Sequence, residues 1–400
     1  MTAILEATRP PVFSALEPQP ADALLGLIKA FRDDPRAGKI DLGVGVFRDG
    51  VGNTPVMASV KLAEQQLLRD QATKSYLGPE GDQGYVDLLA HLVFGPQLAL
   101  SSALTGVQTP GGTGALCLGA ELIARARPGA TVWVGAPTWP NHLPIFQRAR
   151  LRTRLTRFYD QERSTPDIDG MLEDLGTAQP GDVILLHGCC HNPTGAAPDA
   201  NDWHRIRDFC AERGLLPFID LAYQGLGDGL EEDAAATRQI VAQFPEAMIA
   251  YSCDKNFGLY RERVGAFWIK GASAEDAALA RANVLAIARE IWSMPPDHGA
   301  AIVRIILASD ALRSAWQSEL SEMRGRINEL RTALASAHPG LASIGQQRGM
   351  FALLPVAAGV PALLREKHGI YMAGNGRINI AGLNRETIPG FVAGIAPYLK

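Results

Sequence analysis

A chain of 400 residues has room for two domains, each with a sizeable apolar core. Its 47% hydrophobic and 20% charged residues suit a globular protein, and a net charge of −4 points away from nucleic acid or an anionic membrane as partner. No apolar run approaches the roughly 20 residues needed to cross a bilayer, and residues 1–20 lack the apolar stretch of a secretory signal, so a cytoplasmic protein is expected.

Pro10, Pro11, Pro18 and Pro20 make the first twenty residues an extended arm rather than a helix. Leu24, Leu25, Leu27, Ile28 and Phe31 then space like one buried helix face, and a short apolar strand follows around 40–42. From about residue 56 to 270, apolar runs of strand length at 131–134, 183–186, 215–219, 247–251 and 266–269 alternate with helical stretches. That alternation predicts a largely parallel sheet covered by helices on both faces. A long helical stretch from 300 to about 337 and short strand and helix pieces to residue 400 complete the chain. The expected organisation is an α/β protein. It has an N-terminal arm (1–20), a large domain (about 55–312) and a smaller α/β domain built from 21–54 and about 313–400.

Cys117, Cys189, Cys190, Cys210 and Cys253 form an odd, unpatterned set that suits a reducing compartment. Lysine usage is more telling. There are eight lysines against thirty arginines, and Lys255 is the only lysine between Lys74 and Lys270. Arginine keeps its proton at any physiological pH, so it cannot replace lysine where a free amine is needed.

Two phosphate motifs fail on inspection. Gly43-Val44-Gly45 begins like a dinucleotide fingerprint, but Arg48 stands where the third glycine belongs, and Gly38-Lys39 lacks the Ser or Thr of a P-loop. His187, Cys189, Cys190 and His191 resemble a metal set. They follow a strand whose alternation would send neighbours to opposite faces, and no second pair with zinc spacing exists, so no metal is expected.

Three segments lie at or just past the C-terminal end of an expected strand, where open α/β sheets place their ligands: 191–195 (His-Asn-Pro-Thr-Gly), 220–223 (Asp-Leu-Ala-Tyr) and 252–255 (Ser-Cys-Asp-Lys). Gly111-Gly112-Thr113-Gly114 opens an amphipathic helix, and Arg263 stands eight residues past the lysine. The run 252–265, Ser-Cys-Asp-Lys-Asn-Phe-Gly-Leu-Tyr-Arg-Glu-Arg-Val-Gly, closely resembles the lysine segment of class I aminotransferases of the aspartate/aromatic branch, and the likeness extends from about 41 to 383.

The resemblance implies the type I fold of pyridoxal-5′-phosphate (PLP) enzymes, with a mostly parallel, seven-stranded-type sheet, and a Schiff base between PLP and Lys255. PLP is an electron sink for charge released at the amino acid Cα. It implies that Asp220 keeps the ring nitrogen protonated, that Tyr223 and Asn192 bond the ring's phenolic oxygen, and that Trp139 stacks on the ring. The phosphate would take Gly112 and Thr113 at a helix N-terminus, with Ser252 and the Arg263 fork. Tyr76 matches the tyrosine that the neighbouring subunit of such homodimers sends to the phosphate.

On the substrate side, the resemblance implies that Arg377 clamps the α-carboxylate and that Gly45, Trp139 and Asn192 line the same place. It implies that Arg289 of the partner subunit meets a side-chain carboxylate, which makes 2-oxoglutarate one half of the amino acid and 2-oxo acid pair. Ile291, Trp292 and Met294 replace more polar residues of strict aspartate enzymes and would favour an aromatic ring. Ser293 to Gly299 resembles aromatic (tyrosine) aminotransferases, whereas Val46, Thr54 and Thr113 look like the aspartate enzyme. Transamination of tyrosine, phenylalanine or aspartate is therefore expected; strict aspartate specificity, or a decarboxylation or β-elimination on the same fold, are the alternatives. One residue departs from the lysine segment: Asp254 stands where relatives usually carry serine.

Overall fold

The protein's structure, a computed structural model, describes residues 12–18 and 23–399, with side chains described from Gly26 in the first helix. Alternation inside the apolar runs splits their side chains between two buried faces. In the strand Val183–His187, Ile184 and Leu186 enter one core with Ile219, Ile249 and Trp268, while Val183 and Leu185 enter a second with Val132, Phe218 and Phe267. A sheet apolar on both faces needs helices on both, and it has them.

The central sheet has seven strands, in the order Leu104–Pro110, Val264–Lys270, Ala247–Ser252, Leu216–Leu221, Val183–His187, Thr131–Ala136, Arg152–Arg157. Only Val264–Lys270 runs against its neighbours. All five strands expected from sequence are present. The two that were not expected lie at the edges. Arg152–Arg157 carries alternating arginines and leaves Leu155 half exposed, the polar dressing that keeps an edge strand from pairing further.

Near the chain ends, Ile40–Asp41 pairs in parallel with Ile370–Tyr371, and Phe351–Leu353 pairs antiparallel with Arg377–Asn379. The first pairing joins the early segment to the C-terminal tail, and Asn379 N–H adds to it by donating to Leu42 O at 2.8 Å.

Three local expectations need correction. Among its described side chains, the helix Ala23–Asp33 buries none fully: Ile28 is 38% exposed, and Leu27, Ala30 and Phe31 are half-buried, Phe31 edge-on to Tyr371. The stretch 300–337 is two helices, His298–Ala308 and Asp310–Ala337. Ser309 is extended (φ −104°, ψ 119°) and its hydroxyl caps the second helix by accepting from Leu312 N–H. The arm 1–20 lies outside the described residues except 12–18, where Val12–Ala15 forms one exposed 3-10 turn.

Candidate active site

The parallel strands deliver their C-terminal ends to one rim. There a cavity of about 330 Å³ is lined by Gly112, Thr113, Trp139, Asn192, Asp220, Tyr223, Ser252, Lys255, Arg263, Arg377 and Gly45. The structure thus gathers every site residue expected from sequence except Tyr76 and Arg289.

Asp220 is the penultimate residue of its strand, paired in register with His187. Burial would raise its carboxyl, but the hydrogen bond from His142 and the charges of His142, His187 and Lys255 outweigh it and hold Asp220 below the ordinary carboxylate value. The Asp220 Oδ2 to His142 Nε2 distance is 3.0 Å, and His142 Nδ1 meets Thr138 Oγ1 at 2.7 Å. Thr138 also reaches His187 Nε2 at 3.2 Å, and the His187 ring lies 4.2 Å from that of His191. Sequence reasoning missed His142, Thr138 and His187 as neighbours of Asp220. Only the place of His142, three residues past Trp139, hinted at it; the rings meet edge-to-face at 5.2 Å.

Lys255 follows the end of the strand Ala247–Ser252 by three residues, and its amine lies 5.4 Å from the centre of the Tyr223 ring. Burial pulls the amine below its ordinary value, against the opposing carboxylates of Asp254 and Asp220 and with help from Arg263. A lysine so placed loses its proton more readily and is a better nucleophile. Burial and the Asp220 charge push the Tyr223 phenol up, so it remains a hydroxyl. Asn192 Nδ2 points to Tyr223 Oη at 3.4 Å, while Asn192 Oδ1 is buried without a partner among the described residues.

Across the cavity, the helix Gly111–Ala126 begins with Gly112 and Thr113 in the cavity wall, and the first N–H groups of a helix have no partner within it. Gly111 has φ +68°, and a Cβ there would lie 2.7 Å from Arg263 Nη2, so the guanidinium rests directly on the helix start. Ser252 is buried opposite Gly112, whose Cβ would come within 3.2 Å of the serine Cβ. Helix N-terminus, hydroxyl and guanidinium together form an anion cradle.

Arg377 enters from the Arg377–Asn379 strand. It lies 4.5 Å over the Phe351 ring, donates Nη2 to Gly43 O at 2.9 Å, and keeps a buried Nε with no partner among the described residues. Asn379 Nδ2 donates to Val44 O and Val46 O at 2.7 Å, fixing the loop that carries Gly45. Phe351 is held from behind by the fully buried Arg331, which donates to the carbonyls of Gly349 at 2.6 Å and Phe351 at 2.5 Å.

Tyr76 is 93% exposed and outside this cavity. Arg289, in the last turn of Ala274–Ile291, is exposed and donates to Ser293 Oγ. Leu77 N–H meets Met294 Sδ at 3.1 Å, so the two segments share one surface.

The His187–His191 segment also differs from the sequence reading. Its strand ends at His187, and Cys190 turns the chain with φ +50°. The donor atoms of Cys189, Cys190 and Asp233 therefore fall within 4.8 Å of one another rather than diverging. Asp233 is already committed: its oxygens accept from the N–H groups of Gly225, Gly227 and Asp228.

Residues 37–395 match the family Aminotransferase class I and II. The tyrosine aminotransferase of Rhizobium meliloti (strain 1021) is 48% identical over 376 residues, 93% of this chain and 96% of its own. The aspartate aminotransferase of Escherichia coli (strain K12) is 42% identical over 385 residues, 94% of this chain and 97% of its own. The crystal structure of an aromatic-amino-acid aminotransferase from Burkholderia pseudomallei, covalently bound to pyridoxal phosphate, superposes with a TM-score of 0.94 at 37% identity, covering 98% of this chain and 100% of the other.

Proposed function

The chain belongs to the class I and II aminotransferases, and from its cavity we infer how it exchanges an amino group between tyrosine, phenylalanine or aspartate and 2-oxoglutarate. It is a PLP-dependent enzyme. One observation carries the residue assignment: a lysine amine, an anchored carboxylate, an anion cradle and a buried guanidinium with a free N–H all line one cavity.

The donor set fits the cofactor. The orphaned Asn192 Oδ1 and the Gly111–Gly112 cradle are places that a ring substituent and a phosphate would complete. Bound PLP supplies an electron sink for the charge left when the substrate Cα loses its proton. Asp220, kept ionised by His142, would hold a proton on the ring nitrogen. Tyr223 and Asn192 would hold the phenolic oxygen, and Trp139 would cover one ring face. Gly112, Thr113, Ser252 and Arg263 would hold the phosphate. Lys255 would anchor the cofactor and, once displaced by substrate, move the proton at Nζ, its lowered basicity matched to that task. Arg377 would grip the α-carboxylate with the Nε–H that has no partner among the described residues.

The division into an arm (1–20), a small domain (21–54 with about 313–400) and a large domain (about 55–312) belongs to the same reading. Arg377 and Gly45 would then reach substrate from the small domain. Tyr76 and Arg289 serve no site in their own chain and share one surface, which supports a homodimer in which each copy completes the other's site. No helix among the described residues is long and apolar enough to cross a membrane, and a cytoplasmic location is part of the proposal.

Absorbance tests the function. The yellow protein should bleach on adding tyrosine or aspartate and recover with 2-oxoglutarate. A spectrum unmoved by either donor would end the reading. Mixing Lys255→Ala with Arg289→Leu protein should partly restore dicarboxylate turnover, because one site of each heterodimer is intact; no recovery after verified subunit exchange would remove the shared site.

A further inference from the structure

Asp254 stands inside the anion cradle, and no step above uses it. It is 5% exposed and lines the same cavity as Ser252, Thr113 and Lys255. One edge of its carboxylate is engaged: Oδ2 accepts from Arg263 Nη1 at 2.5 Å and lies 3.9 Å from Lys255 Nζ. The other oxygen, Oδ1, is buried with no hydrogen-bond partner among the described residues. A Cβ on Gly111 would lie 3.5 Å from Asp254 Oδ2, so the acid, like the guanidinium, sits against the start of the helix Gly111–Ala126. An ionised carboxylate only accepts hydrogen bonds, so beside an anion it is a conflict unless that anion brings a proton.

The charges point the same way. Arg263 contributes one positive charge and the helix N-terminus about half of one. Asp254 cancels the first, leaving roughly +0.5 to face a phosphate monoester that is close to −2 above its second pKa of about 6. The other titratable groups facing Asp254 do not correct this. Burial pushes Tyr85 and Cys253 up and Tyr260 up to about 12, so all three stay neutral. Lys255 is committed to the cofactor, and Asp220, on the far side of the lysine, adds a negative charge that His142 answers.

We propose that this chain takes up its cofactor's phosphate together with one proton, as a hydrogen phosphate monoanion whose P–OH donates to Asp254 Oδ1. The inference rests on the cradle of Thr113, Ser252 and Arg263 being the phosphate site. The proton comes from solvent on binding and returns to it on release. The P–OH satisfies the orphaned oxygen, and the unprotonated oxygens take the helix N–H groups, the Ser252 hydroxyl and Arg263. One proton taken up means that affinity falls about tenfold per pH unit above the free phosphate's own pKa.

Phosphorus NMR of the holoenzyme reads this directly, because a monoester resonance moves downfield when its second proton leaves. Between about pH 6.5 and 7.5 the bound resonance should sit at the monoanion position in the parent protein. In Asp254→Asn and Asp254→Ser it should sit at the dianion position. Cofactor release at about pH 8 should slow at least about tenfold in both variants. A parent resonance at the dianion position overturns the proposal whether or not the variants fold, as does one that Asp254→Asn leaves at the monoanion position. Absence of any bound phosphorus resonance would instead overturn the cradle assignment.

Discussion

His142 Nε2 lies 3.0 Å from Asp220 Oδ2, and both side chains are buried. An ionised carboxylate only accepts, so Nε2 carries the hydrogen toward Asp220, while Nδ1 meets the Thr138 hydroxyl. Removing the ring strips Asp220 of its one hydrogen bond while the cost of burial remains, so its carboxyl should rise toward neutrality and lose its hold on the ring nitrogen's proton. A hydrogen bond to a charged group contributes about 1.5–3 kcal/mol, so His142→Ala should lower kcat/KM roughly ten- to a hundredfold. The acid limb of its pH profile should move to higher pH. Turnover within a factor of about two, with an unmoved acid limb, would reduce His142 to packing.

Lys255→Ala should abolish steady-state turnover, by at least about a thousandfold, while the protein still retains cofactor through dialysis. Retention is expected because the phosphate cradle and Asp220 do not depend on the lysine. Absorbance after dialysis checks the second half. Turnover within about tenfold of the parent would remove Lys255 from the chemistry.

Acid should destabilise this protein through its buried imidazoles. Burial and His142 push His187 down to about 3, and burial pushes His191 well below its ordinary value. Between about pH 6.5 and 4 the unfolded chain binds protons at both rings and the folded chain does not. Stability is thus fully present above about 6.5 and is lost as pH falls, by up to about 1.4 kcal/mol per pH unit for each ring. His191→Asn should roughly halve the slope of Tm against pH in that window, since His187 remains. A slope equal to the parent's would place the acid sensitivity elsewhere.

What was legible in the sequence were positions set by local pattern. Asp220 and Lys255 follow apolar runs that could only be strands, and polar residues at parallel strand ends face a cleft. What was not legible needed distance or context. The His142–Asp220 bond joins residues 78 apart, and nothing local to either announces the other. Arg152–Arg157 reads as surface because it is an edge strand whose arginines are its protection. Ile28 keeps helical spacing, yet it stays 38% exposed. The break at Ser309 is one hydroxyl capping a new helix inside an otherwise continuous helical pattern. Cys189 and Cys190 converge because Cys190 adopts a positive φ that period-two reasoning excludes.

Arg289 should sort substrates by class. It is exposed at the end of Ala274–Ile291, bonded among the described residues only to the nearby Ser293, and would leave that hydroxyl for a carboxylate across a subunit interface. Against aspartate, glutamate or 2-oxoglutarate it would form a charge-assisted, bidentate pair. Against tyrosine or phenylalanine no such pair exists, and the apolar groups just beyond, Ile291, Trp292 and Met294, would meet the ring instead. Losing a desolvated charge pair costs about 2–4 kcal/mol, so Arg289→Leu should raise the ratio of kcat/KM for aromatic over dicarboxylic donors by roughly thirty- to a thousandfold. The loss should fall on the dicarboxylates, with aromatic donors changed by less than about threefold. Steady-state kinetics with tyrosine, phenylalanine and aspartate decide it, using an amino acceptor common to all three so that loss of 2-oxoglutarate binding cancels in the ratio. If both classes fall together, Arg289 supports the interface rather than reading the substrate, and discrimination must come from the cavity's own walls at Trp139 and Asn192.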